Sequence, residues 1–265
     1  MLWEELNARD FGAAIEKSKG VCVVPIGVVE KHGDHLPVGT DMYAATAIAK
    51  KAAEETSVVV FPYYFFGQIA EARHVKGCLA PSHRLIMDSL LEMCDEIHRN
   101  GFTKILLLSS HGGNNHFLPF FVQQFPGINR PYAVYTRFAH AMTGEQKKSI
   151  QARAGLEDLG NHAGFSETSL MMYLRPDLVH MENVKAHEWA AQERLKPIQD
   201  ENVFTGFNWY SDYPHHFAGD PSAATPEHGA FIFDIAVTNT VSAINAVKAD
   251  NVSLKLIEEY NRAAN

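Results

Sequence analysis

The stretch Val21-Cys22-Val23-Val24-Pro25-Ile26-Gly27-Val28-Val29, which runs on into Glu30-Lys31-His32-Gly33-Asp34-His35-Leu36-Pro37-Val38-Gly39-Thr40-Asp41, decides the fold. Its first nine residues form a short apolar run rich in β-branched side chains, the pattern of a buried strand. A polar, glycine-containing loop follows. Thr40 or Asp41 can then cap a helix over MYAATAIAKKAAEE, residues 42–55. SVVVFP, residues 57–62, reads as a second buried strand. Residues 84–99 are amphipathic, with Leu85, Met87, Leu90, Leu91, Cys94 and Ile97 near helical spacing and Gly101 as a C-terminal stop. KILLLSS, residues 104–110, is a third strand that runs straight into His111-Gly112-Gly113-Asn114. A helical stretch to about Gln124 is broken by Phe125-Pro126-Gly127, and residues 132–136 form a fourth strand. Strands alternating with helices predict βαβ units, a mainly parallel sheet flanked by helices, and one α/β domain over residues 1–265. Residues 182–224 are irregular and aromatic, an expected cover over a site or a subunit contact. Residues 226–247 read as a long helix with a shorter one after it.

Composition narrows the function classes. With 46% hydrophobic and 20% charged residues, the 265-residue chain has an ordinary globular core. A net charge of −8 argues against nucleic acid or an anionic membrane as the main partner. No uncharged apolar run approaches the roughly 20 residues of a membrane span. The first residues, MLWEELNARDFG, carry acids where a signal peptide needs a basic start. Cys22, Cys78 and Cys94 are odd in number and lack CxxC spacing, which fits a reducing cytoplasm rather than a disulfide framework or a zinc ribbon.

Chemistry concentrates in Glu30, His32 and Asp41, in His111, and in Glu167. In parallel α/β sheets ligands bind beyond the carboxyl ends of the strands, where both the Glu30–His32 and the His111 segments lie. Glu30 and His32 are two apart and share a face of an extended chain. Asp41 can turn its carboxylate back toward the loop, and one carboxylate can bridge two cations. Taken singly each residue has a bland account: a loop histidine is usually solvated or hydrogen-bonded, and Asp41 alone is a helix cap. Their combination is harder to explain that way and sets a metal site beside the bland reading as an expectation. The segment NHAGFSETSLMMYL, residues 161–174, adds His162 as a proton shuttle and Glu167 as a ligand or acid–base group, although Ser166 as cap with Glu167 at a helix start is the simpler account. His35, His74, His83, His215 and His216 are assigned structural or solvent roles, with His35 orienting its loop by hydrogen bonding.

The blocks PIGVVEKHGDHLPVGTD (25–41), SSHGGN (109–114), NHAGFSETS (161–169) and HHFAGDPSAATPEHG (215–229) resemble those of the creatininase family. The resemblance implies a doubly wound α/β fold, a centre of two divalent ions (zinc or manganese, sometimes iron) and a homo-oligomer, often a hexamer. By position it implies that Glu30 and His111 hold one ion, His32 the other, that Asp41 bridges, and that His162 handles protons. Creatinine-hydrolysing members carry a tyrosine and a metal-binding glutamate where this chain has Gly112 and Gly113, and a tryptophan where it has Asp158. Glu167 is therefore the expected replacement carboxylate. The expected activity is hydrolysis of a small cyclic amide or related carbonyl compound other than creatinine. The alternatives are opening of a cyclic diketone (the 3-dehydro-scyllo-inosose hydrolase type), a lyase or isomerase on the same ions, and a non-catalytic metal-binding assembly protein.

Overall fold

A computed structural model describes residues 1–185 and 187–264; Ala186, inside the expected cover, lies outside them. The chain builds four parallel strands, β1 (Val21–Ile26), β2 (Val59–Val60), β3 (Lys104–Ser109) and β4 (Ala133–Phe138), in the order β2-β1-β3-β4. The helices are α1 (Phe11–Lys17), α2 (Thr40–Thr56), α3 (His83–Arg99), α4 (Asn114–Gln123), α5 (Gly144–Ala154), α6 (Phe165–Leu174), α7 (Lys196–Gln199), α8 (Asn208–Asp212), α9 (Pro226–Ala249) and α10 (Ser253–Ala264).

Alternation along the strands sorts the core into two layers. Val21 and Val23 of β1 and Leu106 and Leu108 of β3 pack under α2, α6 and α9. Cys22, Val24 and Ile26, with Ile105 and Leu107, pack under α1, α3 and α4. Both faces are covered, which is why these strands read as continuous apolar runs. The sheet is doubly wound, as the resemblance implied.

Several expected boundaries shift. The first strand stops at Ile26, and the second shrinks to two residues because Val58 and Phe61 lie outside the ladder. In α3 the expected Leu90, Cys94 and Ile97 are buried, but Ile86 joins them while Leu85 is half exposed. The polar helix α5 was not expected, although Thr143 and Gln146 form a capping box at its start. Helix α9 is long and apolar enough to span a membrane by length and composition, but one face (Ile232, Phe233, Ala236, Val237, Ile244) is buried in the protein core.

Register brings the strand ends level. Ile26 pairs with Ser109, and Ser109 with Phe138, so the loops after β1, β3 and β4 leave the sheet side by side. Helix α2 approaches β1 closely: a Cβ on Gly27 would lie 2.5 Å from Met42 N and 2.7 Å from the Asp41 carbonyl carbon. Only glycine admits this approach, which sets the first turn of α2, and Asp41 with it, against the end of β1.

Candidate metal centre

The three separated segments meet. His111 Nδ1 lies 2.7 Å from Glu30 Oε1 and 3.2 Å from Asp41 Oδ2. His32 Nε2 lies 3.4 Å from Asp41 Oδ1, 3.7 Å from Glu167 Oε2 and 3.9 Å from Glu30 Oε1. Asp41 is thus shared, with one oxygen toward His111 and the other toward His32. The potential ligand atoms form overlapping groups: Glu30, Asp41 and His111; His32, Asp41 and Glu167; and Glu30, His32 and His162. All are buried except Glu167, which is partly exposed.

Backbone carbonyls fix how each imidazole presents itself. A carbonyl can only accept, so the ring nitrogen facing it carries the proton. His32 Nδ1 donates to its neighbour's carbonyl, Glu30 O, at 3.2 Å, and His111 Nε2 donates to Gln68 O at 2.6 Å. Their other nitrogens face carboxylate oxygens. Asn114 holds the Gln68 segment in place: its Oδ1 accepts from Gln68 N at 3.1 Å, and its Nδ2 donates to Ser109 Oγ at 3.1 Å. That accounts for the asparagine closing His-Gly-Gly-Asn. Gly113 is needed as well, since a Cβ there would lie 2.5 Å from His111 Nε2 and 2.7 Å from Gln68 O. No glutamate fits at that position in this geometry.

Glu30 Oε1, His32 Nε2 and Asp41 Oδ2 are buried with no aligned hydrogen bond. Three carboxylates packed against imidazole lone pairs require positive charge. Without an ion, that charge is protons. Burial disfavours charge on His32, but Asp41, Glu167 and Glu30 outweigh it and raise the ring to about 10. His111 is raised well above its ordinary value against the same burial, by Glu30 and Asp41. Burial pushes Glu30 up, yet the His111 charge and the hydrogen bonds from His111 and His216 hold it well below the usual carboxylate range. Glu167 rises to about 7 through burial and the Asp41 and Glu30 charges, against the pull of His32. Divalent cations would satisfy the same donor set of two imidazole nitrogens and three carboxylates, and each of these imidazoles already has a partner on its far side.

His162 stands beside this group, its ring 4.2 Å from that of His32. Its Nε2 donates to Lys31 O at 2.8 Å, which leaves Nδ1 facing Glu167 Oε2 at 4.0 Å. Burial first, then His32, lowers it to about 3, so the ring is neutral. The segment is anchored by a two-way exchange with Ala218: His162 N donates to Ala218 O at 2.7 Å, and Ala218 N to His162 O at 2.8 Å.

Several expectations change. Asp41 does not cap α2: Gly39 occupies the cap position, Thr40 Oγ1 donates to Pro37 O, and the Asp41 carboxylate turns to the imidazoles instead. Ser166 does not cap α6 either. Gly164 takes that position, Ser166 Oγ donates to Leu159 O, and Glu167 Oε2 accepts from Ala163 N at 2.6 Å. His35 does tie its loop to α6, donating through Nε2 to Thr168 Oγ1 at 3.0 Å. His74 is exposed and hydrogen-bonded to Pro214 O, and His215 is exposed.

His216, assigned a structural or solvent role from the sequence, takes a structural one at the centre itself. It is buried: Nδ1 accepts from Trp209 Nε1 at 3.0 Å, and Nε2 therefore donates to Glu30 Oε2 at 2.6 Å. The only sequence signal was its place in the block HHFAGDP. His140, hydrogen-bonded to Ser110 Oγ at 2.9 Å, was also not singled out.

Comparison with known proteins agrees with this geometry. A family model described as creatinine amidohydrolase matches residues 4–244. Creatinine amidohydrolase of Pseudomonas putida is 25% identical over 197 residues, 69% of this chain and 75% of that protein. A mycofactocin precursor peptide peptidase of Mycobacterium ulcerans is 24% identical over 84% of this chain and 83% of its own. A 3-dehydro-scyllo-inosose hydrolase of Thermotoga maritima is 25% identical over 70% of this chain and 58% of its own. A manganese form of creatininase superposes with a TM-score of 0.76 at 20% identity, covering 94% of this chain and 99% of its own. A Zn–Zn form of a creatininase variant does so with the same score and identity, covering 94% and 98%.

Proposed function

The chain belongs to the creatininase family of hydrolases, and on that premise we propose that it uses two divalent cations, zinc or manganese, to hydrolyse a C–N bond of an amide or related carbonyl compound other than creatinine. Glu30, Asp41 and His111 would hold one ion; Asp41, His32 and Glu167 the other. The observation that carries this reading is the sharing of Asp41, whose two oxygens face different imidazoles within 3.4 Å in a buried cluster with orphaned polar atoms. The manganese and Zn–Zn forms of related folds support the choice of metals. Gly112, Gly113 and Asp158, which stand where creatinine-hydrolysing members carry other residues, support a different substrate.

When bound, the ions would bring the pKa of a water to about 7 and polarise the substrate carbonyl. The remaining work falls to the protein. His162 Nδ1 has its lone pair free because Nε2 donates to Lys31 O. Burial keeps that ring neutral, so it takes the proton of the attacking water only in passing and hands it on to the departing nitrogen. Glu30, Asp41 and Glu167 supply the negative charge that retains the ions.

Metal analysis of the purified protein tests the assignment. His111→Ala and Asp41→Ala should lose metal and hydrolysis together; full metal content in both would sink it. Glu167→Gln separates two roles. Loss of one ion per chain marks a ligand, whereas two retained ions with lost turnover mark an acid–base group.

A further inference from the structure

We infer that Gly112 opens the cavity beside the centre to an aromatic or extended apolar group, so that the substrate is an amide carrying such a group rather than a compact ring. This rests on the metal-centre reading and deepens it. The cavity onto which Glu30, Asp41, His111, His162 and Glu167 open has a volume of ≈ 1890 Å³. Pockets for drug-sized ligands run to about 300–1,000 Å³. A compact lactam would fill a small part of it and leave most of the aromatic wall in contact with water.

That wall includes Phe117, Phe120, Phe138, Phe207, Trp209 and Tyr210. Phe120 and Phe207 are 64% and 71% exposed. Rings continuous with reacting groups give apolar surface that a ligand can remove from water. Away from Glu30, Asp41 and Glu167, charged groups on the lining are of both signs, Glu71 and Asp158 against Arg73 and Lys147, so the wall itself selects no net charge.

Gly112 lines this cavity directly after His111. A Cβ built there meets no heavy atom within 4 Å, and its φ is not among the left-handed glycine values. Neither packing nor backbone conformation therefore requires glycine. Its neighbour Gly113 is the opposite case, barred from a side chain by His111 and Gln68. A glycine outside these needs costs unfolded-state entropy with no structural return. What it preserves is open space next to the imidazole that faces Glu30 and Asp41.

Binding of two hydroxamates to the metal-loaded protein tests this. We expect 2-naphthohydroxamate to bind at least about tenfold more tightly than acetohydroxamate, and Gly112→Phe to cut that advantage to about threefold or less. Acetohydroxamate affinity and metal content should not change, and Gly112→Ala should keep the advantage. Equal affinities in the wild type, or an advantage that survives Gly112→Phe, would overturn the inference. Failure of acetohydroxamate to bind the wild type would count against the metal centre instead. The cavity is then read with 2-naphthamide, which lacks the chelating head. Binding by the wild type and its loss in Gly112→Phe supports the inference; absence of binding overturns it. If Phe207→Asp dissociates an oligomer and leaves naphthyl affinity unchanged, the rings belong to a contact between copies, and the inference falls.

Discussion

The carboxylate of Glu30 faces two ways: Oε1 toward His111 and Oε2 toward His216. Removing His216 leaves that second oxygen without its buried donor and frees the carboxylate to rotate. Losing such a supporting partner costs metal affinity about 10–100-fold. His216→Ala should show this in competition with a chelating dye, and Trp209→Phe, which removes only the donor to His216, should lose less. Unchanged metal dissociation in His216→Ala would mean that its hydrogen bond is incidental. Glu30, His32, Asp41 and His111 were legible in the sequence because strand-end loops concentrate ligands. His216 was not: it lies 186 residues from Glu30 in an irregular segment with no periodicity. The carbonyls of Gln68 and Lys31 leave no trace in side-chain chemistry at all.

Elements meet most tightly where α9 crosses α6. A Cβ on Gly229 would lie 1.9 Å from Ser169 O and 2.9 Å from Tyr173 Cβ. Gly229→Ala must push the two helices apart, an overpacking change costing about 1–3 kcal/mol. Since α6 also carries Glu167, thermal unfolding should show a lower midpoint, and metal content should fall with it. A midpoint equal to the wild type would show that the crossing yields without cost. This crossing was not readable, because nothing in the sequence says which helix faces Gly229. Apolar runs located all four strands, although β2 keeps only two of its expected residues, and helical patterning located α3 and α9. It passed over α5, whose polar faces carry no apolar stripe.

For the molecule as a whole, the centre joins the loops after β1 and β3 to α2, α6 and the segment leading to α9. An ion bound there links parts of the chain far apart in sequence. Ligands that bind only the folded state stabilise it by about 4 kcal/mol at 1,000 times their dissociation constant. Stripping metal with a chelator should therefore lower the unfolding midpoint by on the order of 10 °C, and zinc or manganese should restore it. Insensitivity to chelation would argue that protons on His32 and His111 suffice to hold the cluster.

The indole of Trp209 that donates to His216 also makes the centre visible to light. Of the three tryptophans, Trp3 packs against Phe11, Phe61 and Phe102 in the opposite core layer, and Trp189 against Phe217. Only Trp209 sits one imidazole away from a carboxylate that would hold an ion. Loading the centre redistributes charge along that relay, so intrinsic emission, less the Trp209→Phe background, should follow occupancy in real time. The protein would then carry its own optical gauge of metal exchange, one that needs no substrate.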